Sequence, residues 1–97
     1  MDTPICNSST ISREVIILDK RGLHLRFAGQ IARIARKFPA MVKLYKNKQG
    51  ADARSALAML TLEATCGSRL LLQGEGEQAP DAVQAIGDFI ENYDGII

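Results

Sequence analysis

His24 is the chain's only histidine, and it stands in Gly22-Leu23-His24-Leu25-Arg26, between a strand-like run and a helix-like one. Val15-Ile16-Ile17-Leu18 is a short apolar, β-branched run that Asp19-Lys20-Arg21-Gly22 breaks with charge and glycine. Beyond the histidine, Phe27, Ile31, Ile34, Ala35 and Phe38 recur at the spacing of one helix face. The imidazole is therefore expected at or just before a helix N-cap, on the surface. The first turn of a helix carries backbone N–H groups with no internal partner and the positive end of the macrodipole. Phosphate binds readily at such a place. The same field disfavours imidazolium, so a neutral and nucleophilic ring is expected near pH 7. Arg26 can set a guanidinium fork on a phosphoryl group. The structural alternative is a solvated cap histidine beside an ordinary surface arginine.

A second stretch bears on the choice. Ser55 stands where a helix N-cap is expected, followed by Ala56-Leu57-Ala58-Met59-Leu60-Thr61-Leu62. Together the two stretches resemble the HPr family, the histidine-containing phosphocarriers of the bacterial phosphotransferase system. Gly22-Leu23-His24-Leu25-Arg26-Phe27-Ala28 is similar to that family's active-site segment, whose usual reading is G-L-H-A-R-P-A. Ala53 to Leu62 is similar to its regulatory-serine helix, and Gly74-Glu75-Gly76-Glu77 before a final helix agrees as well. The resemblance runs from about Ser12 to Tyr93.

The resemblance implies a phosphoryl acceptor at His24 Nδ1, with Arg26 and the backbone amides of Leu25 and Arg26 steadying the phosphate. Enzyme I would supply the phosphoryl group and an enzyme II A component would take it. This is a carrier passing through a phosphohistidine rather than a conventional turnover enzyme. The resemblance also puts Ala56, Leu57 and Leu60 on the partner-docking surface; on residue type alone the two leucines read equally well as core. Ser55 serves as an N-cap worth about 1 kcal/mol, and by resemblance it is also the position of regulatory phosphorylation by a serine kinase and phosphorylase. The rival class is a regulatory or interaction module that binds partners without relaying phosphate.

Two residues depart from the family pattern. Leu25 replaces a small alanine and puts apolar bulk beside the imidazole. Phe27 replaces proline, which restores a backbone N–H in the first turn, relaxes the local backbone and brings a ring near the site. The N–H is one more potential donor to phosphate; Phe27→Pro, which removes it, is still expected to keep phosphorylation at His24.

The elements that must position these residues follow from pattern. Residues 1–11, with Asn7-Ser8-Ser9-Thr10, read as a disordered N-terminal extension, and residues 12–97 as a single HPr-like domain. Strands are expected over 12–18, 41–45, 49–53 and 69–73. A helix over 25–37 stops before Pro39, and a short second one runs from the Ser55 cap and ends before Cys66-Gly67, where Gly67 can take the left-handed C-terminal conformation. Leu57, Leu60 and Thr61 are spaced as the helical face behind that cap. Pro80 opens the last helix, whose buried stripe is Val83, Ile86, Phe89, Ile90 and Tyr93. Lys46-Asn47-Lys48-Gln49 is a hairpin turn whose type is open, because the family's Asn-Gly is absent. The fold class is α+β, an open-faced β-sandwich in the order βαββαβα, with three helices covering one face of a four-stranded antiparallel sheet.

Composition excludes several classes. No apolar run reaches the roughly 18 residues of a membrane span, and Met1-Asp2-Thr3-Pro4 lacks the basic start of a signal peptide. A cytoplasmic protein is expected, with no membrane association. Cys6 and Cys66 are too few and too far apart for a disulfide framework or a metal site, and both read as free thiols. No second histidine or glycine-rich phosphate loop with lysine suggests an enzyme, and no cofactor or metal is expected. Residues 13–54 hold eleven Lys/Arg against three Asp/Glu, a charge of +8; residues 55–97 hold one against seven, or −6. Either one face meets an acidic or phosphorylated partner, or the charges intermix on folding. Nucleic acid is not an expected partner, since no basic stripe is interleaved with aromatics. The default state is a monomer.

Overall fold

Arg69–Glu75 carries the sheet: Leu70 and Leu72 turn to one side and are fully buried, while Leu71 between them is 39% exposed. An apolar strand with that alternation belongs in the middle of a sheet with one face covered. In a computed structural model, which describes residues 10–93, it lies there. The elements in chain order are β1 (Ile11–Ile16), α1 (Leu25–Ala35), β2 (Met41–Lys46), β3 (Gln49–Asp52), α2 (Ala56–Leu60), β4 (Arg69–Glu75) and α3 (Ala79–Asn92). Sheet order is β1-β4-β2-β3, with all pairs antiparallel. This is the expected α+β open-faced sandwich, in the order βαββαβα.

The register aligns the covered face. Leu72 of β4 lies opposite Arg13 on one side and Leu44 on the other, and Leu44 lies opposite Ala51. The helices fill the space above. Phe27, Ala28, Ile31, Ala32 and Ala35 of α1 and Val83, Ile86 and Ile90 of α3 bury against Val15, Val42, Leu44, Leu70 and Leu72. Phe89 and Tyr93, read as part of the α3 stripe, are only half-buried, and Tyr93 caps the helix instead of extending it. Pro80 sits in the first turn of α3 as expected. The two charge regions partly intermix: Arg13 bridges Asp88 (3.0 Å) and Glu91 (2.9 Å) on α3.

Several boundaries differ from expectation, for physical reasons. Strand β1 ends at Ile16; beyond it Ile17 still exchanges backbone bonds with Ser68 and Gly67, but Leu18 turns out, 53% exposed. Helix α1 ends at Ala35, because the following turn tightens to i→i−3 bonds from Lys37 to Ile34 and from Phe38 to Ala35. Strand β4 runs two residues further than expected, since Gly74 and Glu75 are paired with Val42 and Met41. In the hairpin Asn47 is left-handed (φ 59°) and Lys48 is not, which rules out a type I′ turn. The expectation of residues 1–11 as an extension lies outside the described residues except for Thr10 and Ile11, and Ile11 already belongs to β1.

Helix α2 is the largest departure: five residues, ending at Leu60 rather than near Cys66. Side chains of the β2–β3 hairpin take the carbonyls that a longer helix would bond internally. Lys46 Nζ donates to Glu63 O (3.1 Å) and Gln49 Nε2 to Thr61 O (3.3 Å). Glu63, not Gly67, is the left-handed residue that ends the segment (φ 52°). Gly67 is also left-handed, but in the turn leading into β4. The apolar face of α2 differs as well: Met59 is its fully buried side chain, Leu57 is 73% exposed, Thr61 is exposed and Leu60 is half-buried.

Candidate functional site

The loop before α1 is built from its turn. Asp19 O accepts the N–H of Gly22 (2.9 Å), and Gly22 takes the left-handed conformation that the turn requires (φ +71°). Leu23 then donates its N–H to Ala64 O (3.0 Å) and buries its side chain. A Cβ on Gly22 would lie 2.5 Å from Ala64 O and 2.9 Å from Thr65 Cα, both rigid backbone atoms. Gly22→Ala therefore combines left-handed strain with a clash, and a stability loss of about 2–4 kcal/mol is expected in urea denaturation. An unchanged midpoint would show that the loop has room to shift.

Anchored this way, the chain delivers His24 to the N-cap of α1 with extended backbone (φ −93°, ψ 175°). The helix begins at Leu25, as expected from sequence. The ring is held at both nitrogens. Nδ1 accepts the Phe27 N–H at 3.5 Å, and Nε2 lies 2.9 Å from Asp19 Oδ2. One neutral tautomer satisfies both contacts: the network assigns the proton to Nε2 and leaves the Nδ1 lone pair toward the helix end. The ring, expected on the surface, is mostly covered there: the side chain is 20% exposed. Asp19 covers it on one side, and Phe27 and Tyr93 stand with ring centroids 6.0 Å away on others.

Asp19 is the residue at the histidine that sequence reasoning missed, having read it only as a strand breaker. It is 2% exposed, the one buried charged residue among those described. Its Oδ1 accepts the Arg21 backbone N–H (3.2 Å), with Arg21 Nε at 3.8 Å. Burial pushes the carboxyl up, but the Arg21 amide, the bond to His24 and the Arg21 charge outweigh it and hold it below the ordinary value. A signal was present: aspartate at the first position of a turn with glycine at the fourth commonly folds its carboxylate back onto the turn. Because the folded value is depressed, Asp19's contribution to stability is complete above the ordinary carboxylate value and drains as pH falls below about 4. Asp19→Asn is expected to flatten the acid limb below that pH, read from urea midpoints at pH 7 and pH 3. An acid limb as steep as wild type would remove Asp19 from this role.

The two departures from the family pattern have distinct positions. Leu25 is 60% exposed beside the histidine. Phe27 is fully buried, stacks on Tyr93 (centroids 4.0 Å, 10° between planes) and meets Phe89 edge-on at 5.8 Å. Its restored N–H is occupied by His24 Nδ1, so it is not a spare donor for phosphate in this state. The N–H groups of Leu25 and Arg26 have no backbone partner among the described residues, and Arg26 is exposed without a side-chain hydrogen bond among them. A ring whose Nδ1 faces the helix end and meets only the long Phe27 N–H contact, two open amides and an exposed guanidinium lie within one helical turn, a set that can receive an electrophilic phosphorus and hold the resulting anion.

On α2, Ser55 is the N-cap, its Oγ accepting the Ala58 N–H at 3.1 Å. Ala56 and Leu60 are half-buried, and Leu57 points out. Helix α2 packs against α1. Cys66 is an exposed free thiol. Among the described residues no group of three or more His, Cys, Asp or Glu converges as a metal site would, and no helix is long and apolar enough to cross a membrane.

Comparison with known proteins identifies the family. The family model described as the PTS HPr component phosphorylation site matches residues 11–92. Phosphocarrier protein HPr of Pseudomonas aeruginosa is 35% identical over 80 residues, covering 81% of this chain and 89% of the relative. Phosphocarrier protein NPr of Shewanella violacea is 37% identical over 81 residues, covering 84% and 89%. Among solved structures, HPr-C-His from Thermoanaerobacter tengcongensis superposes with a TM-score of 0.83 at 28% identity, covering 90% of this chain and 98% of that one. The chain belongs to the HPr family of phosphocarrier proteins of the phosphotransferase system.

Proposed function

We propose that this protein accepts a phosphoryl group on His24 Nδ1 from enzyme I and passes it to an enzyme II A component. The observation that carries the reading is the orientation of the ring: Nε2 is bonded to buried Asp19, and the Nδ1 lone pair is left at the N-terminus of α1. The amides of Leu25 and Arg26 and the Arg26 guanidinium steady the phosphate. They do so from a half-open site that does not enclose it, which suits a group that must be passed on. Partners dock on Ala56, Leu57 and Leu60, and the working form is a cytoplasmic monomer. Phosphorylation of Ser55 by a serine kinase would put charge into that docking surface.

The test mixes the protein with phosphoenolpyruvate and enzyme I from the same organism and looks for acid-labile phosphate. Label on wild type that is lost in His24→Ala is the expected result. No label, with the same enzyme I active on another carrier, would favour an interaction module that binds partners without relaying phosphate. Exposed Leu25 is the feature that fits that second reading.

A further inference from the structure

We propose that Asp19 is a positioning residue that keeps the proton on Nε2 of His24 through the whole phosphoryl cycle, so that the phosphorylated ring stays a competent donor at neutral and mildly alkaline pH. The inference deepens the phosphocarrier reading and rests on it.

The chemistry turns on the leaving group. When a phosphoryl group leaves Nδ1, the P–N bond breaks and its electron pair returns to Nδ1. If Nε2 has lost its proton, the departing species is an imidazolide anion, a poor leaving group. If Nε2 carries the proton, a neutral imidazole departs. Acceptance is the reverse: the Nδ1 lone pair forms the P–N bond, the donor's leaving group takes its own electron pair, and the ring becomes a cation with Nε2–H intact. With Nε2 protonated throughout, no proton has to move at His24 in either direction.

The structure supplies the group that such a cycle needs. Asp19 Oδ2 lies 2.9 Å from Nε2, and the carboxylate is 2% exposed, so water competes little for the bond. An anion in direct contact favours the protonated ring, and it does so more strongly away from solvent. The carboxyl is itself held as an anion by the Arg21 N–H at 3.2 Å. Among the described residues, the other charged or titratable groups around the ring are Arg21 of the same loop, Arg26 of α1 and Tyr93 at the end of α3. Arg21 and Arg26 are exposed and weakened by solvent, and Tyr93 approaches as a ring rather than through an ion pair. Asp19 is the anion positioned to hold the proton.

The test needs no partner protein. The protein is phosphorylated with potassium phosphoramidate, and the phosphoryl ring is titrated by 31P and 15N NMR in wild type and in folded Asp19→Asn. The amide keeps the shape and an acceptor oxygen but removes the charge. The expected result is a titration midpoint lower in Asp19→Asn by about one pH unit, with hydrolysis at alkaline pH slowed by about tenfold, the factor such a displacement makes in the protonated fraction. An unchanged midpoint would overturn the proposal. A second measurement is independent of the variant: long-range 1H–15N correlation on unphosphorylated wild type should find the Nε2–H tautomer, and an Nδ1–H tautomer would overturn the proposal outright. Expected tautomer and titration together with no labelling by enzyme I would instead locate the failure in the phosphocarrier reading.

Discussion

Phe27→Ala is expected to lower the unfolding free energy by about 3–5 kcal/mol, the usual cost of deleting a buried aromatic ring. In a domain of this size that corresponds to a fall in Tm of more than about 10 °C. The ring is fully buried and joins α1 to α3 through its stack on Tyr93 and its edge contact with Phe89. Such pairs add about 0.5–1.5 kcal/mol beyond the area they bury. A cavity left here is hard to refill, because the half-buried Tyr93 lies just past the end of α3 and loses its stacking partner together with the ring. Thermal melting checks the effect, and a loss below about 1 kcal/mol would mean that the aromatic cluster does not bind the helices together.

The same substitution separates two roles of this residue. Alanine keeps the backbone N–H that meets His24 Nδ1, whereas Phe27→Pro removes both ring and donor. In the proposed reaction the lone pair at Nδ1, not that N–H, attacks phosphorus, so folded protein of either variant should still take label at His24. Both should be destabilised to a similar degree, since proline is tolerated in a first helical turn. Complete loss of label in folded Phe27→Pro alone would make the N–H essential for orienting the ring.

How much of this could be read beforehand depends on the range of the forces involved. The N-terminus of α1 was legible because its determinants are local: an apolar run, a charged glycine turn, then a 3.6-residue period from Phe27 onward. The end of α2 was not, because it is set by Lys46 and Gln49, side chains of a hairpin more than ten residues away. A five-residue helix also offers no full period, so Leu57 and Met59 could not be sorted from pattern alone, and Met59 took the core position. Asp19 was misjudged for a related reason. A carboxylate in a loop normally faces water, and only the folded loop brings it beneath the imidazole.

Leu57→Asp is expected to reduce phosphoryl transfer from enzyme I by at least about tenfold while leaving the fold unchanged. Leu57 is the second residue of α2 and 73% exposed, so an acidic side chain there faces water and lies at the favourable end of the helix dipole. Surface changes of this kind stay within about 0.5 kcal/mol. Docking is a different matter. An exposed leucine placed beside a partner loses its burial when replaced, and a carboxylate must then be desolvated without a partner group to pair with. The loss should fall on KM with kcat retained, because the chemistry at His24 is untouched. Leu57→Ala should give a smaller loss of the same form, since it removes contact without adding charge. Unchanged transfer in Leu57→Asp would move the docking surface elsewhere. The comparison also bears on Ser55. Its Oγ already accepts the Ala58 N–H, and a phosphate on that oxygen could accept the same bond while adding about −1.5 to −2 charge two residues from Leu57. If one exposed carboxylate at Leu57 suffices to block transfer, a phosphate at Ser55 has both the charge and the position to do so without unfolding α2.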